Sequence, residues 1–236
     1  MLELIFLSTI PILEKNLPAK LSRQIGKYFP IPEPKKAAFA KEFQITSGGV
    51  KETVNKEFFE WHFFGKEREK ELVISPDTMF INYLKYDSFE ILVEDFQGAF
   101  SKLFELQNDL QVRRVGLRYM NNIEIKDEDP FAWEPYLNQN LLGVLNFYGE
   151  KQLISRAFHN LEFNFGDSNL RFQFGMHNPD YPSPIRKKQF ILDYDAYYVG
   201  VIDYGEVEGI LRTFHRKIQD LFEMSITENL RVIMNG

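Results

Sequence analysis

Two stretches of the chain carry apolar residues at intervals of three and four, which is the spacing of one face of an α-helix. The first stretch has them at Phe89, Leu92, Val93, Phe96, Phe100, Leu103 and Phe104. The second has them at Val207, Ile210, Leu211, Phe214, Ile218, Leu221 and Phe222. The spacing predicts long helices over residues 89–110 and 207–222.

Each predicted helix follows an aspartate that has a glutamate three positions later. The pairs are Asp87 with Glu90 and Asp203 with Glu206. An aspartate in this position accepts a hydrogen bond from a free N–H of the first turn, and the glutamate reaches back to the backbone of the aspartate. We therefore predict capping boxes at Asp87 and Asp203.

Alternating and continuous apolar runs predict strands in the rest of the chain. Residues 2–10, 39–46, 57–64 and 73–86 read as strands of a first half that also contains a helix at 16–28. Residues 112–126, 152–165, 169–176 and 190–202 read as strands of a second half, with a helix within 129–146. Both halves then have the order βαβββα.

The two halves also align in sequence position. Ile74 matches Ile191 at a separation of 117 (191 − 74), and Leu103 matches Leu221 at 118 (221 − 103). The pattern predicts an α+β fold in which mainly antiparallel strands are covered by two long helices. We expect one domain over residues 1–236 whose duplicated halves, about 1–111 and 112–236, are related by an approximate two-fold.

Composition narrows the classes of function. Aromatic residues make up 15% of the chain, and the 23 phenylalanines favour a sheet-rich core. The net charge of −6 argues against broad attraction to nucleic acid or anionic membranes. The absence of Cys excludes thiolate chemistry and fits a cytoplasmic protein. No motif predicts a cofactor, and no apolar run is long enough to span a bilayer.

Three sequence stretches resemble a known family. They are Arg114-Val-Gly-Leu-Arg-Tyr-Met-Asn121, Leu192-Asp-Tyr-Asp195, and His215 followed by Phe222 and Ser225-Ile-Thr-Glu228. Together they resemble an uncharacterised, sporadically distributed prokaryotic family of similar length. The resemblance implies a one-domain protein with an accessory or defence-related role, and it brings no established activity or catalytic residue.

The strand at 112–126 places two polar residues on opposite faces. Asn121 shares a face with apolar residues, so its amide must bond either to the backbone or to a ligand. Arg118 lies on the other face, where it either pairs with Asp193 or Asp195 or binds an anionic ligand. Asp193 and Asp195 alternate on one face of their own strand, but a metal site there has no third ligand at a characteristic spacing.

Two further candidates lie outside these strands. His215 borders the apolar stripe of the second long helix and is a candidate ligand contact or general base. Arg186, Lys187 and Lys188 end the proline-rich loop 178–188 and form a candidate contact for an anion or an acidic partner.

The leading hypothesis is a non-catalytic protein that binds a protein or small-molecule partner. The alternative is a hydrolase or nuclease that uses Asp193, Asp195, His215 and Arg118, which would have to converge on one concave site. Nucleic-acid binding is disfavoured by the acidic total, and the sequence leaves open whether the chain forms a homo-oligomer.

Overall fold

The computed structural model describes residues 1–46, 49–126 and 129–235. Among these residues the fold is α+β, with mostly antiparallel, open sheet structure and five α-helices. The strands are β1 (Leu2–Phe6), β2 (Ile31–Pro32), β3 (Lys36–Thr46), β4 (Gly49–Phe64), β5 (Lys70–Ile74), β6 (Thr78–Tyr83), β7 (Val112–Glu124), β8 (Ala157–Asn164), β9 (Asn169–Met176) and β10 (Gln189–Ile202). The helices are α1 (Ala19–Ile25), α2 (Phe89–Leu106), α3 (Gln139–Leu142), α4 (Val207–Ser225) and α5 (Glu228–Asn235).

The chain folds as two compact units. The first comprises Met1–Gly116 and Val199–Ile210, and we call it unit 1. The second comprises Leu117–Tyr198 and Leu211–Gly236, and we call it unit 2. The strand order is β2-β4-β5-β6-β1-β7 in unit 1 and β7-β10-β9-β8 in unit 2, with β3 paired to β4.

Unit 1 builds its core between β1 and α2. The side chains of β1 alternate between buried and partly buried, as the period of two requires for a strand with one face on a core. Phe6 of β1 stacks on Phe100 of α2 with ring centroids 6.4 Å apart, and Phe100 also contacts Tyr204 at 5.1 Å. These contacts bury the apolar stripe that predicted the helix.

Unit 2 builds its core from β9, β10 and the part of α4 that begins at Leu211. Phe172 stacks on Tyr194 at 4.5 Å, and Tyr194 meets Phe222 edge-on at 6.4 Å. The Tyr194 hydroxyl donates to Ser225 Oγ at 2.8 Å, which satisfies a polar group in a fully buried position. The side of the sheet that carries Tyr194 therefore faces α4.

Several predicted boundaries need correction. The strand predicted over 73–86 is the hairpin of β5 and β6, because Ser75 makes a turn in which its Oγ donates to Asp77 Oδ1 at 2.9 Å. Ser88, and not Asp87, caps α2, and its Oγ accepts from the N–H of Ile91 at 3.3 Å. The capping box of Asp203 and Glu206 is confirmed.

Other elements differ in length. Helix α2 ends at Leu106, four residues before the predicted end, while α4 extends to Ser225. The helix predicted within 129–146 is only the short α3 followed by a single 3₁₀ turn. Helix α5 was not predicted, because it offers too few periodic positions to be recognised.

Gly175 of β9 is a position where only glycine fits without strain. Its φ is +143°, and a Cβ built there would lie 2.1 Å from the carbonyl oxygen of Ala157 on the neighbouring strand. We expect Gly175→Ala to lower the free energy of unfolding by about 2 kcal/mol, limited by the freedom of the edge strand β8 to shift outward. Urea denaturation measures this value.

Gly143→Ala is the matched control for that prediction. Nothing lies within 4 Å of a Cβ at Gly143, and its backbone is right-handed helical. We expect a change within about 0.5 kcal/mol there. Equal effects at the two glycines would contradict the proposed clash with Ala157.

Candidate functional site

Arg118 of β7 and Asp193 of β10 form a two-pronged ion pair. The guanidinium Nε donates to Oδ1 at 2.8 Å, and Nη2 donates to Oδ2 at 2.6 Å. The side chain of Asp193 is only 5% exposed, whereas that of Arg118 is 37% exposed. Hydrogen bonding to Asp193 raises the pKa of the guanidinium above its usual value. The prediction that Arg118 pairs with a carboxylate of this chain is confirmed.

Asp195 forms a second pair, with Arg171 of β9. The two residues are directly opposite in the antiparallel register, and Arg171 Nη2 donates to Asp195 Oδ2 at 2.7 Å. Here too the carboxylate is nearly buried, at 11% exposed, and the guanidinium is half-buried, at 41%. No sequence pattern pointed to Arg171, because this pairing depends on the register between β9 and β10.

We call these four residues, Arg118, Arg171, Asp193 and Asp195, the arginine–aspartate cluster. Asp193 and Asp195 flank Tyr194, whose ring contacts Phe222 of α4. Because successive side chains of a strand point to opposite faces, the cluster lies on the side of the unit 2 sheet away from α4. The guanidinium groups thus face outward, while the carboxylates lie beneath them.

The other two predicted ligand residues lie apart from the cluster. Nδ1 of His215 is 3.4 Å from the hydroxyl of Tyr119, which neighbours Arg118 in β7 and so points to the opposite face. The Nδ2 group of Asn121 donates to the carbonyl of Leu192 at 3.4 Å, which agrees with a structural role. The four residues of the hydrolase alternative therefore do not meet at one point.

The three cations of the loop 178–188 do not form one surface patch. Arg186 and Lys187 are exposed, but Lys188 is only 3% exposed. Its ammonium group lies 5.0 Å from the ring centre of Tyr136 and 5.6 Å from that of Trp133. The expectation of three clustered surface cations is corrected at Lys188, because aromatic rings enclose that side chain.

A charged network in unit 1 was missed in the sequence. Asp95 lies on the buried face of α2, and both of its carboxylate oxygens accept from Lys70 Nζ, at 2.7 and 2.6 Å. The hydroxyl of Tyr83 also donates to Asp95. Burial, and then the bond to Asp95, raises the pKa of Tyr83 well above its usual value. In the sequence, the signal for this network was a single aspartate among the apolar positions from Leu92 to Ala99.

Two kinds of feature are absent from the described residues. Within 1–46, 49–126 and 129–235 there is no group of three or more His, Asp or Glu placed to hold a metal ion. In the same part of the chain, none of the helices combines the length and apolar character needed to cross a membrane.

Comparison with known proteins adds no relative. No protein-family model, curated protein or solved structure matches this chain.

Proposed function

We propose that this protein is a non-catalytic binding protein and that the arginine–aspartate cluster contacts an acidic group of its partner. One observation carries the proposal: two nearly buried aspartates hold two half-exposed arginines on a sheet face away from α4. In this arrangement each carboxylate is bound by a guanidinium group, and the guanidinium groups face the solvent. It therefore favours binding over acid–base chemistry.

The carboxylates are poorly suited to catalysis because both are engaged. A general base must accept a proton from the reacting group, and a carboxylate bound to arginine on both oxygens is a weak acceptor. Asp193 is bound in this way. His215 is bonded to Tyr119 on the other face of β7, so it is not placed to work with either aspartate. The hydrolase or nuclease alternative has no geometric support.

Arg171 retains donors for a partner. Arg171 uses Nη2 for Asp195, and within the described residues its Nε and Nη1 groups have no hydrogen-bond acceptor. A guanidinium held in place by a buried carboxylate loses little rotamer freedom when it binds a second acid. Met120 lies on the same face as Arg118 and is 63% exposed, so it supplies apolar contact area. Methionine and arginine are both enriched in protein–protein interfaces.

A labelled polyglutamate peptide tests the proposal by fluorescence anisotropy at low salt. The variant Arg171→Gln/Asp195→Asn removes the guanidinium without leaving a buried charge, and we expect about fivefold weaker binding. Glu162 lies opposite Arg171 on β8. Glu162→Gln removes a negative charge that repels the peptide, and it is therefore expected to strengthen binding. Arg113→Gln is the control for an exposed arginine of unit 1.

Two outcomes would overturn the proposal. The first is polyglutamate binding that is unaffected by Arg171→Gln/Asp195→Asn and Glu162→Gln. The second is hydrolysis of a generic phosphodiester or ester by the purified protein that is abolished by Asp193→Asn, because that result would promote the hydrolase alternative.

We also propose that the two units are related by an internal duplication. Unit 1 contains β1, α1, β4, β5, β6 and α2 in that chain order, with the additional strands β2 and β3 between α1 and β4, and its strands lie in the order β4-β5-β6-β1. Unit 2 contains β7, α3, β8, β9, β10 and α4, and its strands lie in the order β8-β9-β10-β7. In each unit an aromatic residue of a helix packs on an aromatic residue of the sheet, Phe100 on Phe6 and Phe222 on Tyr194. Superposition of the two units tests the duplication, and a different strand direction at any equivalent position would contradict it.

The biological setting is proposed on the sequence alone. The resemblance to the sporadically distributed family suits an accessory or defence-related role, and the absence of Cys fits a cytoplasmic location.

A further inference from the structure

A concave pocket of about 550 Å³ lies in unit 1, and none of the candidate site residues predicted from the sequence lines it. Its lining comes from three segments: the residues that follow α1, the turn between β4 and β5 together with the first residue of β5, and the segment between β6 and α2. Four of the lining residues are the lysines Lys27, Lys66, Lys70 and Lys85. We propose that this lysine pocket binds a phosphorylated small molecule.

Lys70 is the fixed member of the four. Asp95 holds its ammonium group through two hydrogen bonds, and the ammonium also lies 4.9 Å from the ring centre of Phe29. The side chains of Lys70 and Asp95 are 15% and 6% exposed. A polar network with every member bonded makes a rigid wall, so the pocket does not depend on flexible side chains for its shape.

The other three lysines supply the attraction for an anion. Lys27, Lys66 and Lys85 are exposed, and none of them forms an ion pair or side-chain hydrogen bond with any residue that the structure describes. These three ammonium groups lie on one concave surface and have donors for a single anionic ligand. Phosphate oxygens accept hydrogen bonds from several ammonium groups at once, which makes a phosphate the most suitable anion.

The remaining lining restricts the ligand further. Glu67, Glu69 and Asp87 also line the pocket, so a bare anion meets repulsion there, whereas hydroxyl or amino groups of a ligand find acceptors. Tyr28 provides an aromatic wall: its ring packs against Gly98 of α2, where a Cβ would lie 2.5 Å from the ring. The volume lies within the range of sites for small metabolites. A phosphorylated sugar or nucleotide satisfies all of these features.

Isothermal titration with ATP, ribose 5-phosphate and inorganic pyrophosphate tests the proposal and separates the sources of the phosphate. We expect binding in the order ATP, ribose 5-phosphate, pyrophosphate, because only the first two carry hydroxyl donors and only ATP has an aromatic base to stack on Tyr28. The variant Lys27→Gln/Lys66→Gln/Lys85→Gln is expected to weaken ATP binding about tenfold.

The control variant is Lys15→Gln/Lys20→Gln/Lys126→Gln, which removes the same charge from exposed lysines outside the pocket. Thermal unfolding checks that both triple variants remain folded. The proposal is supported if only the pocket variant loses ATP binding. It is overturned if none of the three compounds binds, if both variants lose binding equally, or if pyrophosphate binds as tightly as ATP. None of these results depends on the arginine–aspartate cluster.

Discussion

Arg118→Ala is expected to lower the free energy of unfolding by about 3 kcal/mol, because it leaves the carboxylate of Asp193 buried without its partner. Removing one member of a buried ion pair generally costs about 3–5 kcal/mol. The low end of that range applies here, since the guanidinium of Arg118 is 37% exposed and water can reach the gap left by the truncation. Urea denaturation monitored by far-UV circular dichroism gives the value.

Two variants isolate the cause of the Arg118 effect. Arg113→Ala truncates an exposed arginine of the same strand and is expected to change stability by less than about 0.5 kcal/mol. Arg118→Ala/Asp193→Ala removes both charges and should be more stable than Arg118→Ala alone. A loss at Arg118 no larger than that at Arg113 would refute the role of the pair.

The pairing of Arg118 with Asp193 was predictable because it rests on alternation within two strands. Once β7 and β10 are recognised, the period of two assigns Arg118, Asp193 and Asp195 to definite faces. The same local logic located β9, whose bounds of Asn169–Met176 match the prediction. Local periodicity thus specifies which side of an element a residue occupies, and for strongly patterned segments it also specifies the length.

Features that depend on the register between strands could not be predicted in this way. Arg171 reaches Asp195 only because β9 and β10 pair with those two residues opposite one another. Lys188 is buried because Trp133 and Tyr136, more than fifty positions earlier in the chain, surround its ammonium group. Neither arrangement leaves a pattern in the nearby sequence, so a charged loop was expected where a buried lysine lies.

Competing local signals explain the smaller errors in the predicted bounds of helices and strands. Asp87 and Ser88 are both good N-cap residue types, and Ser88 is the one with extended backbone whose side chain accepts from the first turn of α2. The run from Val73 to Tyr86 is apolar enough for one strand, but Pro76 cannot donate a backbone hydrogen bond within a sheet. That proline was the signal for the hairpin of β5 and β6.

The largest effect is expected at the network beneath the lysine pocket, where Lys70→Met should lower the free energy of unfolding by about 4 kcal/mol. Methionine preserves most of the side-chain volume, so the loss comes from the carboxylate of Asp95, which is 6% exposed. Among the residues that the structure describes, this carboxylate would keep only the hydroxyl of Tyr83 as a donor. Tyr83→Phe removes just that hydroxyl and is expected to cost about 1 kcal/mol. Chemical denaturation of the two variants measures the difference.

The double variant Lys70→Met/Asp95→Leu distinguishes an unpaired charge from a general disturbance of the core. It replaces both charged groups with apolar ones in a position that is already lined by apolar residues of α2, including Leu92, Phe96 and Ala99. Replacement of a buried ion pair by apolar side chains of similar volume is often neutral or stabilising, so we expect most of the lost stability to return. A double variant as unstable as Lys70→Met would show that the shape of the lysine side chain, and not the charge left on Asp95, stabilises this part of unit 1.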